Sequence, residues 1–191
     1  MKKMKRLVLG IGLLITLTAV GFAQEVRPGH KSTNFNITEE MVVNAQKKWA
    51  ESLLEISKTY LEKGDYKRVA NEVLDKGYNY ENGIVLFKPT LTTGEQTFRM
   101  DKEGALAYFV GGNSKYKDDT GFALKGWVKY VVVNKGIILN GSTAITMGNI
   151  ILTDNKGNEV TVDKTWGFKM NELGELKIIL HHSSLPYKPA K

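Results

Sequence analysis

The 191-residue sequence contains no cysteine and only three histidines. Without cysteine there are no disulfides, thiolate nucleophiles, iron–sulfur clusters or cysteine-ligated zinc. No repeat at a solenoid period is present, and an apolar content of 42% is too high for a disordered chain. No G-x-S-x-G elbow marks a serine hydrolase, and no glycine loop is built to cradle phosphate. No Asp/Glu cluster at ligand spacing points to a carboxylate-bound divalent ion.

The longest apolar run, Leu7 to Ala19, is short of the roughly 20 residues that a membrane-spanning helix needs. It follows the basic residues Lys2, Lys3, Lys5 and Arg6 and precedes Gly21-Phe22-Ala23, so residues 1–23 read as a secretory signal peptide. The lack of a following cysteine excludes a bacterial lipid anchor. Removing residues 1–23 leaves 168 residues with a formal charge of +3 instead of +7. The pI of 9.4 is therefore mostly the leader's, and neither nucleic acid nor, after signal removal, a membrane is expected as a partner. Export without disulfides fits a bacterial periplasm and requires a core that stands unaided.

Residues 24–37 are polar, include Pro28-Gly29 and lack periodicity, which predicts a flexible lead-in to a single domain over 38–191. Thr38 can cap a helix whose Glu39 and Glu40 suit its positive end and whose Trp49, Leu53, Ile56 and Tyr60 share one face. Gly64 ends it, and Asp65 can cap a shorter helix to about Leu74. Strand character starts near Tyr78 and peaks at Ile84 to Phe87, with Asn82-Gly83 reading as a hairpin-type turn. Asp101 caps a further helix to Phe109, which Gly111-Gly112 stops. Four strands follow, at Trp127–Leu139, Thr143–Thr153, Val160–Met170 and Leu176–Ser184. Helices followed by long hairpin-linked strands predict an α+β fold, with a curved, mostly antiparallel sheet wrapped around the first helix into a cone. Its open end would suit a small ligand.

The most unusual tetrad is His181-His182-Ser183-Ser184, at the end of the last strand. Alternation puts His181 with Ser183 on one face and His182 with Ser184 on the other, so the imidazoles do not converge on one ion. His30 lies in the lead-in, so one chain cannot assemble a three-histidine zinc site. Tyr108 shares the apolar side of its helix with Ala105, and Thr90 closes an apolar strand just after Pro89. From the residues alone, two readings stay open: these polar groups satisfy one another, or they act on a ligand.

Several segments together are more specific. They are Phe87-Lys88-Pro89-Thr90, the run from Gly104 to Gly112, Gly121-Phe122-Ala123-Leu124, Met147-Gly148-Asn149, Lys164-Thr165-Trp166-Gly167 and the run from Leu180 to Pro186. Carrying these over roughly Thr38 to Tyr187, the sequence resembles the iota class of carbonic anhydrases. Those proteins have a nuclear-transport-factor-2-like fold, related to the association domain of calcium/calmodulin-dependent kinase. The resemblance implies reversible hydration of carbon dioxide to bicarbonate. It implies a site of Thr90, Tyr108 eighteen residues later, His181 and Ser183. Thr90 and Ser183 would hold substrate oxygens, Tyr108 would act as base or orient water, and His181 would transfer the proton. The residue count favours a site with no cofactor; family members differ over metal, so zinc or manganese stays open. The same fold also hosts isomerases and dehydratases, for which His181 could be the base, and non-catalytic modules for small-anion binding or oligomerisation. A homodimer is expected in each case, with Val131, Val132, Val133, Ile137, Ile138 and Leu139 offering apolar surface on the outer face of the sheet.

Overall fold

A computed structural model describes residues 36–189. Residues 1–23, read from the sequence as a signal peptide, and residues 24–35 of the expected lead-in lie outside the described residues. The last lead-in residue, Ile37, is buried, and its N–H donates to the Gly141 carbonyl at 3.0 Å.

Helix α1 (Glu39–Leu61) begins where the Thr38 hydroxyl accepts from the Met41 N–H, with Glu39 and Glu40 at its positive end. It buries Val42, Gln46, Trp49, Leu53 and Ile56. Tyr60 continues the spacing but is 40% exposed and meets Tyr66 edge-on. Asp65 caps α2 (Tyr66–Gly77), accepting from the Arg68 N–H, and α2 runs one turn beyond the expected end at Leu74.

Asn82-Gly83 makes no hairpin. A single 3-10 turn (Tyr80–Asn82) leads instead to β1 (Leu86–Lys88), which pairs in parallel with the last strand of the sheet. Helix α3 (Lys102–Val110) is capped by Asp101, whose carboxylate accepts from the Gly104 N–H at 2.7 Å. It stops at Gly111, where φ is +62° and a side chain would crowd the Asp119 carbonyl at 3.0 Å.

The chain then forms β2 (Trp127–Asn140), β3 (Thr143–Asp154), β4 (Glu159–Met170) and β5 (Leu176–Ser184). The open sheet has the order β1-β5-β4-β3-β2, with one parallel and three antiparallel pairings. A register shift between Asn134 and Gly136 bends β2. Gln46 of α1 is seated there, donating to Asn134 Oδ1 (2.9 Å) and Thr146 Oγ1 (3.1 Å) and accepting from Asn134 Nδ2 (2.7 Å). The outer face is narrower than the sequence suggests. Val131, Ile138 and Leu139 are exposed, but Val132 and Ile137 pack against the core, because the shift between Asn134 and Gly136 brings both, five residues apart, to the inner face.

A second shift, between Gly167 and Phe168, decides which residues of β5 face the core. Gly167 pairs with Leu180 and Phe168 with Ile178, leaving Ile179 as the extra residue. Ile178 is buried before the bulge, and His181 and Ser183 are buried after it. Regular alternation from Ile178 would have turned His182 inward instead.

Candidate active site

Four elements, β4, β5, β1 and α1, build the surroundings of His181. On β4, Val162, Lys164, Trp166, Phe168 and Met170 all face the core. The register places Trp166 opposite His181 and Lys164 opposite Ser183. On the other side of β5, Phe87 of β1 lies opposite His181, and their rings stack at 4.6 Å. Trp49 of α1 meets His181 edge-on at 5.3 Å and Trp166 at 5.6 Å. His181 is thus boxed by aromatic rings and only 1% exposed.

The polar contacts inside this box form a connected chain. Trp49 Nε1 donates to the Tyr78 hydroxyl at 2.9 Å, and that hydroxyl lies 2.8 Å from His181 Nδ1. His181 Nε2 lies 2.6 Å from Lys164 Nζ and 3.1 Å from Ser183 Oγ, and Lys164 Nζ donates to Ser183 Oγ at 2.8 Å. Burial first, then the neighbouring Lys164 and His182, push the His181 pKa well below the ordinary imidazole value. Burial alone holds the Lys164 amine well below the usual lysine range. Tyr78 is pushed up by burial, against the pull of its Trp49 hydrogen bond.

Of the four residues expected from the sequence, His181 and Ser183 are in direct contact. Thr90 and Tyr108 form a second pair. Burial pushes the Tyr108 hydroxyl up to about 12, while the Thr90 side chain and the Leu91 and Thr90 backbone pull weakly the other way. The Tyr108 hydroxyl is fully buried and has no partner at hydrogen-bonding geometry. Its ring stacks on Phe122 at 5.5 Å and meets Phe87 edge-on at 5.8 Å. Phe87 therefore touches both pairs, and no hydrogen bond joins one pair to the other. Lys164, Tyr78 and Trp49 escaped the sequence reasoning. Only Lys164 left a signal, as the one charged residue at the inward positions from Val162 to Met170.

A cavity of about 930 Å³ opens between α1, α2 and β5, where Ala45, Val73, Phe168 and Ile178 line it. It reaches Trp49, but none of the four expected residues lines it. Thr90, the most exposed of those four, shows 9% of its surface, so only a very small substrate fits among them. Among the described residues, no group of three or more His, Asp or Glu could hold a metal ion.

Comparison with known proteins identifies the family. Residues 40–185 match the family model for metal-independent carbonic anhydrases. The chain is 51% identical over 157 residues to a metal-independent carbonic anhydrase of Nostoc sp. (strain PCC 7120), covering 81% of this chain and 77% of that protein. It superposes with a TM-score of 0.81 and 49% identity on the crystal structure of a cyanobacterial iota-carbonic anhydrase complexed with bicarbonate, covering 85% of this chain and all of that one. A nuclear-transport-factor-2-like protein of unknown function from Pseudomonas putida KT2440 aligns at 11% identity with a TM-score of 0.50, over 78% of this chain and 87% of that one. That last likeness shows the fold alone.

Proposed function

The chain belongs to the metal-independent carbonic anhydrases and catalyses the reversible hydration of carbon dioxide to bicarbonate, and from that premise we propose that Thr90, Tyr108, His181 and Ser183 are its site. Family membership displaces the isomerase, dehydratase and non-catalytic alternatives. The observation that carries the site is the placement of the buried Tyr108 hydroxyl beside Thr90, separated by one phenyl ring from the Ser183–His181 pair. A buried hydroxyl is costly unless its proton finds an acceptor, and an oxygen of carbon dioxide or bicarbonate can take that role.

The roles follow from charge states. Tyr108 keeps its proton at neutral pH, because its pKa is pushed up to about 12. It therefore donates to substrate oxygen and orients it, and does not serve as the base. Thr90 and Ser183 add hydroxyls where negative charge develops as the carbonyl oxygen becomes an oxyanion. His181 stays neutral, its pKa held down by burial, and fixes the orientation of Ser183. Carbon dioxide carries no charge and crosses the aromatic wall at little cost. Ser183→Ala and Tyr108→Phe should each lower kcat/KM for hydration by at least roughly tenfold with the fold retained. Wild-type rates in both would sink this site.

Two features rest on sequence and surface. Residues 1–23 direct export to a periplasm, which cleavage after Ala23 in the expressed full chain would test. The exposed Val128, Val131, Ile138, Leu139, Ile145 and Met147 on β2 and β3 give a homodimer its apolar interface. Ile138→Asp should then shift the mass measured by light scattering to that of a monomer; an unchanged mass would count against this face.

A further inference from the structure

Hydration of carbon dioxide releases a proton as well as an anion, and none of the four residues above is suited to keep it. His181 is a weakened base, and the three hydroxyls are weaker bases still. The group beside them that can hold a proton is Lys164, which lies in one of the segments shared with the family but is not among the four residues the resemblance assigns to the site. We infer that Lys164 rests as a neutral amine and takes up, through the Ser183 hydroxyl, the proton released when water adds to carbon dioxide. This deepens the site proposed above and rests on it.

Hydrogen-bond bookkeeping leads to the neutral amine. Trp49 Nε1 can only donate, so the Tyr78 oxygen accepts from it and the Tyr78 proton needs another acceptor. The partner in reach is His181 Nδ1, at 2.8 Å. A neutral imidazole that accepts at Nδ1 carries its proton at Nε2, which faces Lys164 Nζ at 2.6 Å. An ammonium there would set donor against donor. An amine offers a lone pair to Nε2–H and still donates to Ser183 Oγ at 2.8 Å. The protons of Trp49 Nε1, Tyr78, His181 Nε2 and one on Nζ then each have an acceptor, and Ser183 Oγ can still accept from a water in the site.

The surroundings agree. Lys164 is 3% exposed, and no carboxylate forms an ion pair with it among the described residues. The groups packed around it are Trp49 from α1, Trp166 on β4, His181 and Ser183 on β5, and Tyr78 through His181. Lys88 of β1 donates to the Ser183 carbonyl at 2.9 Å and adds positive charge nearby. Asp163, next to Lys164 in sequence, is held by Asn149 on the other face of the sheet. Burial without an anion favours the amine.

The reaction then balances inside the pocket. The water oxygen forms the new C–O bond, and one C=O electron pair moves onto oxygen. As Nε2–H turns from Nζ to Ser183 Oγ the Nζ lone pair is freed, and one water proton passes to Ser183 Oγ while the Ser183 proton passes to Nζ. Carbon dioxide, water and an amine become bicarbonate and an ammonium, so a neutral site becomes an ion pair and not a lone buried charge. The new cation lies 4.4 Å from the centre of the Trp49 ring and 5.5 Å from that of Trp166, both faces that attract it. Nε2–H is left to Ser183 Oγ, 3.1 Å away.

The test is NMR of the mature protein carrying isotope-labelled lysine, with the Lys164 signal assigned by its loss in Lys164→Met. At pH 7.5, without bicarbonate, Lys164 should give an amine-type resonance, set apart from the surface ammonium groups. Saturating sodium bicarbonate should convert it to the ammonium type, while sodium chloride should not. Ammonium in both states, or amine in both, overturns the inference. In activity, Lys164→Met should lose at least about 100-fold in kcat/KM, within the range of a general base; a wild-type rate overturns it as well. Ser183→Ala separates the two levels: full activity there sinks the whole site. An inactive Ser183→Ala beside a Lys164 that is already an ammonium sinks the lysine's role alone.

Discussion

Arg99 and Lys164 are each 3% exposed, yet the protein treats these two buried cationic side chains in opposite ways. Arg99 Nη2 donates to both carboxylate oxygens of Asp119 at 3.1 Å, and its guanidinium lies over Tyr116 at 4.5 Å. Its charge is neutralised in place, although Nε and Nη1 are left without partners. Lys164 is the reverse, well hydrogen-bonded and without a carboxylate. The difference follows from the side chains. A guanidinium cannot shed its proton in a protein, so a buried arginine has to be given an anion. A buried lysine can lose its proton, and an anion that arrives later can restore it. The first arrangement serves the fold. The second is what a reaction that creates an anion and a proton requires.

The largest expected effect tests this contrast from the arginine side. Asp119→Ala leaves a permanent charge buried and unpaired, and should cost about 3–5 kcal/mol in urea unfolding. Lys164→Met, by contrast, replaces a side chain that rests uncharged with one of similar volume, and should move stability by less than about 1.5 kcal/mol in either direction. If the two variants lost equal stability, Lys164 would be a structural cation like Arg99, and the contrast would fail.

A smaller effect appears in the pH dependence of stability. The native pKa values of His181 and Lys164 are both lowered, so between the native and unfolded values the unfolded chain binds more protons and stability rises with pH. For His181 the contribution is lost as pH falls below the unfolded value of about 6.5. For Lys164 the rise continues towards an unfolded value of about 10.4, at a slope of up to about 1.4 kcal/mol per pH unit. Subtracting the Lys164→Met profile from that of the wild type between pH 7 and 9 isolates this slope, since the variant retains His181. A flat difference would mean that Lys164 stays charged in the native state. Above pH 10 the sign reverses, because Tyr78 and Tyr108 keep protons that the unfolded chain has lost.

The same contrast explains what was legible in the sequence. Local chemistry fixed the caps at Thr38, Asp65 and Asp101, and period-two alternation located β2 to β5 within a residue or two. Alternation also put His181 and Ser183 on one face, but not which face; the extra residue Ile179 decides that, and no local signal marks it. The parallel partner of β1 was hidden too, since it lies some 95 residues away in sequence. Lys164 was visible as a lysine at an inward position of an apolar strand, yet such lysines are ordinarily read as solvated. Its meaning came only from Tyr78 and Trp49, which tertiary packing supplies from other elements.

The smallest stability effect belongs to Tyr108, and its smallness is the point. Arg99 and Lys164 both make close hydrogen bonds within the fold, whereas the Tyr108 hydroxyl makes none at that geometry. Tyr108→Phe removes an oxygen that burial has stripped of water without giving it a partner. It leaves the ring in place against Phe122 and Phe87. Stability should therefore stay within about 0.5 kcal/mol of wild type or rise by up to about 1 kcal/mol, because an unsatisfied buried group is lost together with its desolvation cost. Turnover should still fall at least roughly tenfold, since the hydroxyl finds its partner only when substrate oxygen is present. A loss of more than about 2 kcal/mol in unfolding free energy, with turnover lowered only in proportion to the folded fraction, would place Tyr108 with Arg99 among the groups that hold the fold, and would leave Ser183 and His181 to orient the substrate by themselves.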